Sequence, residues 1–159
     1  MPAYNAEKYI EAAIRSVLRQ TWTDLELIVV DDHSRDATAD IVRRLAGEDG
    51  RIILLQNARN SGVSVCRNSG VAKARGEWIA FLDSDDLWRE DKLEKQMALL
   101  DRHPNAVLSY TASAFMDEDG RRYTYTMEAE EETDYETLLR RNLLSCSSVM
   151  VKREVMLRH

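Results

Sequence analysis

Residues that break chains, bind zinc or form disulfides are scarce in these 159 residues: two prolines, three histidines and two cysteines. Cys66 and Cys146 show no Cys-x-x-Cys spacing and no histidine beside them, so both are expected to be free, buried thiols of a cytosolic protein. His33, His103 and His159 are scattered and give a zinc site no support. Apolar runs are no longer than a strand, so no membrane span is expected in this segment, and no signal peptide is read at its start. A basic excess is also lacking. The net charge of −6 argues against nucleic acid as a partner and points to small anions held together with a metal ion. The expected location is the cytoplasm, or the cytoplasmic face of a membrane if the chain belongs to a longer protein.

What is present is a globular composition, 44% apolar and 31% charged, without repeats or a low-complexity linker, so residues 1–159 read as a single domain. Apolar positions Ile10, Ala13, Ile14, Val17 and Leu18 predict a helix from about Ala6 to Gln20 with Asn5 as its N-cap and no strand before it. Leu25 to Val30 predicts a strand that runs into Asp31-Asp32, followed by a helix from Ala37 to Leu45 capped by Asp36. Ile52 to Leu55 is the next strand, Asn57 to Gly62 a loop, and Val63 to Ala74 a helix ended by Gly76. A strand from Trp78 to Leu82 and a helix from Glu90 to His103, stopped by Pro104, continue the alternation. Alternating strands and helices imply parallel βα units with their tips at one edge. After Pro104 the pattern turns antiparallel. Val107 to Phe115 and Arg121 to Thr126 flank a hairpin turn at residues 117–120, Glu128 to Asp134 reads as a solvated loop, Tyr135 to Arg141 as a short helix, and Ser147 to Val151 as a segment returning to the sheet. The fold class is therefore α/β, a mostly parallel sheet flanked by helices with an antiparallel C-terminal portion.

The run Trp78 to Leu82 is apolar on both faces, as in a strand buried between helical layers, and it ends in Asp83-Ser84-Asp85-Asp86. Asp83 and Asp85 are two apart and point the same way in extended chain. Carboxylates about 4 Å apart repel by roughly 4 kcal/mol at an effective dielectric near 20, so the pair calls for a cation. Oxygen-only ligands suit Mg²⁺ or Mn²⁺. The plainer alternative is an acidic turn that caps the following helix.

Four stretches in order, Met1 to Ile10, Val29 to Ser34, Asn60-Ser61-Gly62-Val63 leading to Arg67-Asn68-Ser69-Gly70, and Phe81 to Asp86, resemble the family 2 glycosyltransferases of the GT-A fold over nearly the whole chain. The resemblance implies that Pro2, Ala3 and Tyr4 line a nucleoside pocket. It implies that Asp32 accepts a hydrogen bond from the imide N–H of uracil or thymine, an acceptor-only group meeting a single donor. Asp85 would bind the divalent ion directly, with Asp83 nearer the ribose and the ion's water shell, and Arg67 would steady the diphosphate or pair with an acidic tip. Glu7 would touch the nucleotide or favour a helix N-terminus. Asp86 begins the turn into Leu87-Trp88, and Trp78 and Trp88 are packing residues rather than sugar platforms.

The implied activity is transfer of a sugar, with inversion, from a UDP- or dTDP-sugar to an acceptor that is a glycan, lipid or small molecule. Two alternatives stand beside it: a nucleotide- and metal-binding module without turnover, and a sugar-phosphate nucleotidyltransferase, against which Pro2-Ala3-Tyr4-Asn5 replaces the usual Gly-rich loop. Against the family pattern, the apolar strand that normally precedes Pro2 is missing, and the general base is expected beyond His159. The domain is accordingly expected to be incomplete at both ends, with an exposed sheet edge able to support a homodimer. Glu130-Glu131-Glu132 lies too early to supply the base.

Overall fold

A computed structural model describes residues 1–117, 119–130, 133–141 and 144–158. In chain order the elements are β1 (Pro2–Ala3), α1 (Ile10–Leu18), β2 (Leu27–Asp31), α2 (Thr38–Glu48), β3 (Ile52–Gln56), α3 (Val63–Lys73), β4 (Trp78–Ala80) and α4 (Lys92–Arg102). They continue with β5 (Leu108–Ser109), β6 (Ser113–Met116), β7 (Arg122–Met127), α5 (Tyr135–Arg140), a 3-10 turn at Cys146–Ser148, β8 (Met150–Lys152) and α6 (Arg153–Arg158).

Strand β2 is buried along its whole length because helices cover both of its faces. Side chains alternate across a strand. Leu27 and Val29 meet Ile10, Ile14 and Val17 of α1 and Val42 and Leu45 of α2, while Ile28 and Val30 meet Cys66 of α3 and Ala74. Strands β1, β2 and β3 form a parallel sheet in that order, with Pro2 opposite Val30 and Leu27 opposite Ile52. Strands β4, β8 and β5 form a second, antiparallel set, and β6 with β7 is an antiparallel hairpin. The expected mixture of parallel βα units and an antiparallel C-terminal portion is what the chain builds. The segment expected to return to the sheet does so, β8 lying between β4 and β5.

Several local expectations change. Within the first five residues, for which no strand is predicted, Pro2–Ala3 pairs with Val30–Asp31. The first helix begins at Ile10 rather than Ala6, after a turn in which Tyr9 N–H donates to the Ala6 carbonyl. Asn5 does not cap it. With φ at +49° its backbone is left-handed, and its side-chain oxygen accepts the Arg35 N–H at 2.9 Å, tying the first loop to the one after β2. Asp36 stands one residue ahead of the N-cap position, which is Ala37, and its carboxylate accepts the Thr38 N–H at 3.0 Å at the start of α2. Helix α3 ends at Lys73 because Ala74 is already extended (φ −63°, ψ 145°), so Gly76 plays no part in stopping it.

Strand β4 is shorter than predicted and only half-buried. It pairs antiparallel with β8 instead of joining the parallel sheet. Between β2 and β4 runs a groove of about 340 Å³ whose walls include Ile28, Val71, Trp78, Ala80, Trp88 and Met97. The apolar character of Trp78 to Leu82 thus reflects a core divided between the groove and the α4 side, where Leu93, Leu100 and Met150 cluster against Trp78 and Ala80. No helix among the described residues is long and apolar enough to cross a membrane. Glu118, Glu131, Glu132 and His159 lie outside the described residues, so the residue-118 position of the hairpin turn and most of the Glu130–Glu132 run do too.

Candidate functional site

The ends of β1 and β2 and the acidic tip after β4 meet around one cleft. Its volume is about 260 Å³, and it is lined by Pro2, Ala3, Tyr4, Asp32, Val63, Cys66, Arg67, Asp83, Ser84 and Asp85. Of the residues singled out from sequence, Pro2, Ala3, Tyr4, Asp32, Arg67, Asp83 and Asp85 are together here. Glu7 is not among the lining residues. Its carboxylate accepts the Ala37 N–H at 2.9 Å at the start of α2, and its own N–H donates to Asp36.

Tyr4 is the exposed wall of the cleft, 48% accessible, so it is not a core residue. Asp32 forms the opposite, buried end. Its carboxylate accepts Asn57 Nδ2 at 2.7 Å, Ser61 N–H at 2.9 Å and Gly62 N–H at 2.7 Å. Burial by itself raises the pKa of this carboxyl, but those donors outweigh it and hold the group below the usual carboxylate range. Gly62 reaches this position with φ at +91°, a left-handed value that favours glycine, and from there α3 starts. Asp32 thus organises the loop that launches α3 while presenting to the cleft.

Helix α3 contributes Arg67, whose Nη2 donates to Asp83 Oδ1 at 2.7 Å. Its Nε is buried and has no hydrogen-bond partner among the described residues. A guanidinium among the lining residues of a cleft suits an anionic ligand. Cys66, one residue earlier, is buried; desolvation, reinforced by the nearby Asp32 charge, pushes its thiol up to about 11, so it is a packing thiol rather than a nucleophile at neutral pH. Both cysteines are free, as expected, but Cys146 is only half-buried.

The acidic tip is a turn closed by the Asp86 N–H on the Asp83 carbonyl at 3.2 Å. Asp85 is exposed at the cleft. Asp86 turns the other way, and Ser147 Oγ donates to its Oδ2 at 2.5 Å. Burial raises the Asp86 pKa, with the Asp85 and Asp83 charges adding to the rise and the Ser147 hydrogen bond opposing it. Trp88 packs into the core and its indole N–H donates to the Ser147 carbonyl at 2.7 Å, in keeping with a packing role. No group of three or more His, Cys, Asp or Glu side chains able to hold a metal occurs among the described residues. Two neighbouring carboxylates are a donor set that Mg²⁺ accepts when phosphate oxygens and waters complete the shell.

Sequence reasoning did not single out Val63, Ser84 or the Asn57 contact to Asp32. The spacing Val63, Cys66, Arg67, three and four apart on one helix, was the signal that places them on a common face.

Carboxylates gathered around a cleft at the strand tips of an α/β sheet are the arrangement of the GT-A class of fold. Residues 1–158 match the family model described as Glycosyl transferase family 2, and the chain belongs to that family. It is 39% identical over 153 residues to the putative teichuronic acid biosynthesis glycosyltransferase TuaG of Bacillus subtilis (strain 168), covering 96% of this chain and 60% of that protein. It is 36% identical over 156 residues to the UDP-Glc:alpha-D-GlcNAc-diphosphoundecaprenol beta-1,3-glucosyltransferase WfgD of Escherichia coli, covering 98% of this chain and 60% of the other. The crystal structure of S. aureus TarS 1-349 in complex with UDP-GlcNAc superposes with a TM-score of 0.82 at 28% identity, covering 99% of this chain and 45% of that 1-349 chain.

Proposed function

We propose that this chain forms the donor-nucleotide part of an inverting glycosyltransferase that uses a UDP- or dTDP-sugar together with Mg²⁺ or Mn²⁺. The observation that carries the reading is the single cleft bringing Tyr4, Asp32, Arg67, Asp83 and Asp85 together at the strand tips. The uridine nucleotide in a similar structure and the UDP-Glc in a relative's name support the pyrimidine donor.

In this reading Tyr4, with Pro2 and Ala3, covers the nucleoside, and Asp32 faces the imide N–H with whatever acceptor capacity its three protein donors leave. The Ser61 N–H is shared between both oxygens, so the carboxylate's roughly four lone-pair sites are in use and the base N–H would be accepted in place of half of that shared contact. Asp83 and Asp85 would hold the cation, which when bound neutralises the diphosphate as the glycosidic bond breaks. Arg67 would exchange its Nη2 contact with Asp83 for a phosphate oxygen. The acceptor class to test first is a lipid-linked sugar, from the wording of the WfgD name.

Calorimetric titration of UDP into the protein with Mn²⁺ and with EDTA tests the reading. Binding is expected to be much tighter with Mn²⁺ than in EDTA, and Asp85→Asn is expected to lose at least about tenfold in affinity with Mn²⁺ by removing one ligand charge. Metal-independent binding that Asp85→Asn leaves unchanged contradicts it. A transfer assay with lipid-linked acceptor then separates an enzyme from a binding module without turnover.

A further inference from the structure

We propose that Ser147 is a positioning residue for the acidic tip, fixing the Asp83–Asp86 turn so that Asp83 and Asp85 face the cleft and Asp86 does not. The proposal rests on the reading of that tip as a cation and diphosphate site.

Ser147 belongs to the 3-10 turn Cys146–Ser148, 61 residues beyond Asp86 in the chain, yet it makes three of the contacts that shape the tip. Its hydroxyl accepts the Asp83 N–H at 3.0 Å and donates to Asp86 Oδ2 at 2.5 Å. One hydroxyl can do both, having a single proton to give and lone pairs to accept with. Its carbonyl accepts the Trp88 indole N–H at 2.7 Å, which fixes the far side of the turn. Just before the tip, the Phe81 N–H donates to the Val149 carbonyl at 3.1 Å, so the β4–β8 pairing runs directly into the Ser147 contacts. Ser147 is itself buried.

The bridge sorts three carboxylates that are adjacent in sequence. Asp86 is drawn inward onto a hydroxyl and stays off the cleft wall, while Asp83 and Asp85 remain on it. Without the hydroxyl, the Asp83 N–H and the half-buried Asp86 carboxylate both lose this partner, leaving the Asp86 N–H on the Asp83 carbonyl and the Arg67–Asp83 pair to hold the turn. The geometry of the cation ligands is thus set from the C-terminal, antiparallel part of the fold.

The test compares the parent protein with Ser147→Ala and Ser147→Thr. Two quantities are read: the Mn²⁺ concentration that gives half-maximal UDP binding, and hydrogen exchange of the Asp83 amide by NMR. Ser147→Ala is expected to raise the Mn²⁺ midpoint about tenfold and to speed Asp83 exchange by a similar factor, with the weak UDP affinity in EDTA unchanged. Ser147→Thr keeps the hydroxyl and is expected to return both to within about threefold of the parent. Trp88→Phe, which keeps the ring and removes the N–H, serves if the alanine variant does not fold, and should shift both quantities in the same direction by about threefold. An unchanged Mn²⁺ midpoint, or an equal loss of UDP affinity with and without metal, overturns the proposal. Absence of metal-dependent UDP binding in the parent overturns the proposed function instead. Asp83 exchange then decides the positioning role alone, unchanged protection in Ser147→Ala refuting it.

Discussion

Asp32 shows how one side chain can serve fold and site together. Its carboxylate is 3% exposed and takes donors from Asn57, Ser61 and Gly62, two of them main-chain N–H groups. Asp32→Ala strips three part-buried donors of a charged acceptor, at a cost of about 3 kcal/mol. For a domain of this size that corresponds to a melting temperature lower by roughly 6–12 °C, readable by calorimetry or circular dichroism. A variant that melts within about 2 °C of the parent would show that water replaces the carboxylate without penalty. That this residue stands at the end of a strand beside the cleft was legible in the sequence because two acidic residues end an apolar run. Its structural load was not, since Asn57 and Ser61 lie 25 and 29 positions away. Glu7 is the converse: an acidic residue near a helix start serves α2, through Ala37, 30 positions on, and periodicity carries no information about such loop-to-loop contacts.

Among the elements, the helices and the two longer strands of the parallel sheet, β2 and β3, were legible because burial leaves its period in the sequence: β2 on both faces, α1 every three to four residues. Pairing partners were not, because they are set by the whole assembly. Nothing local to Trp78–Ala80 says that its neighbour is Met150–Lys152, antiparallel. Helix α4 carries a feature its pattern hides. Lys92, its first residue, is buried, with Nζ donating to Gln96 Oε1 at 2.5 Å and lying 4.3 Å from the centre of the Trp88 ring. Desolvation lowers its pKa from 10.5 to about 7. The unfolded chain therefore binds a proton at Lys92 that the folded chain has released between pH 7 and 10.5, so stability rises with pH across that window and is constant in this respect below it. The cation–ring contact reduces the effect, leaving on the order of 3–5 kcal/mol over the window. Lys92→Met should flatten the rise, as measured by urea unfolding at a series of pH values; a parallel pair of pH profiles for parent and variant would contradict the assignment.

At the scale of the whole molecule, the parallel sheet brings Tyr4 and Asp32 to the cleft, α3 brings Arg67, and the antiparallel portion, through β8 and Ser147, sets the acidic tip. The cleft is thus assembled from segments that span the chain from residue 2 to residue 147, and its ligand is expected to couple them. The most direct measurement of the central claim is paramagnetic broadening of backbone amide signals by substoichiometric Mn²⁺, recorded with and without UDP. The account predicts that with UDP present broadening centres on Asp83, Ser84 and Asp85 and reaches Arg67 and Tyr4, and that without UDP it is much weaker at all of them. Broadening that ignores UDP, or that centres on the acidic residues between Glu128 and Asp134, would contradict it.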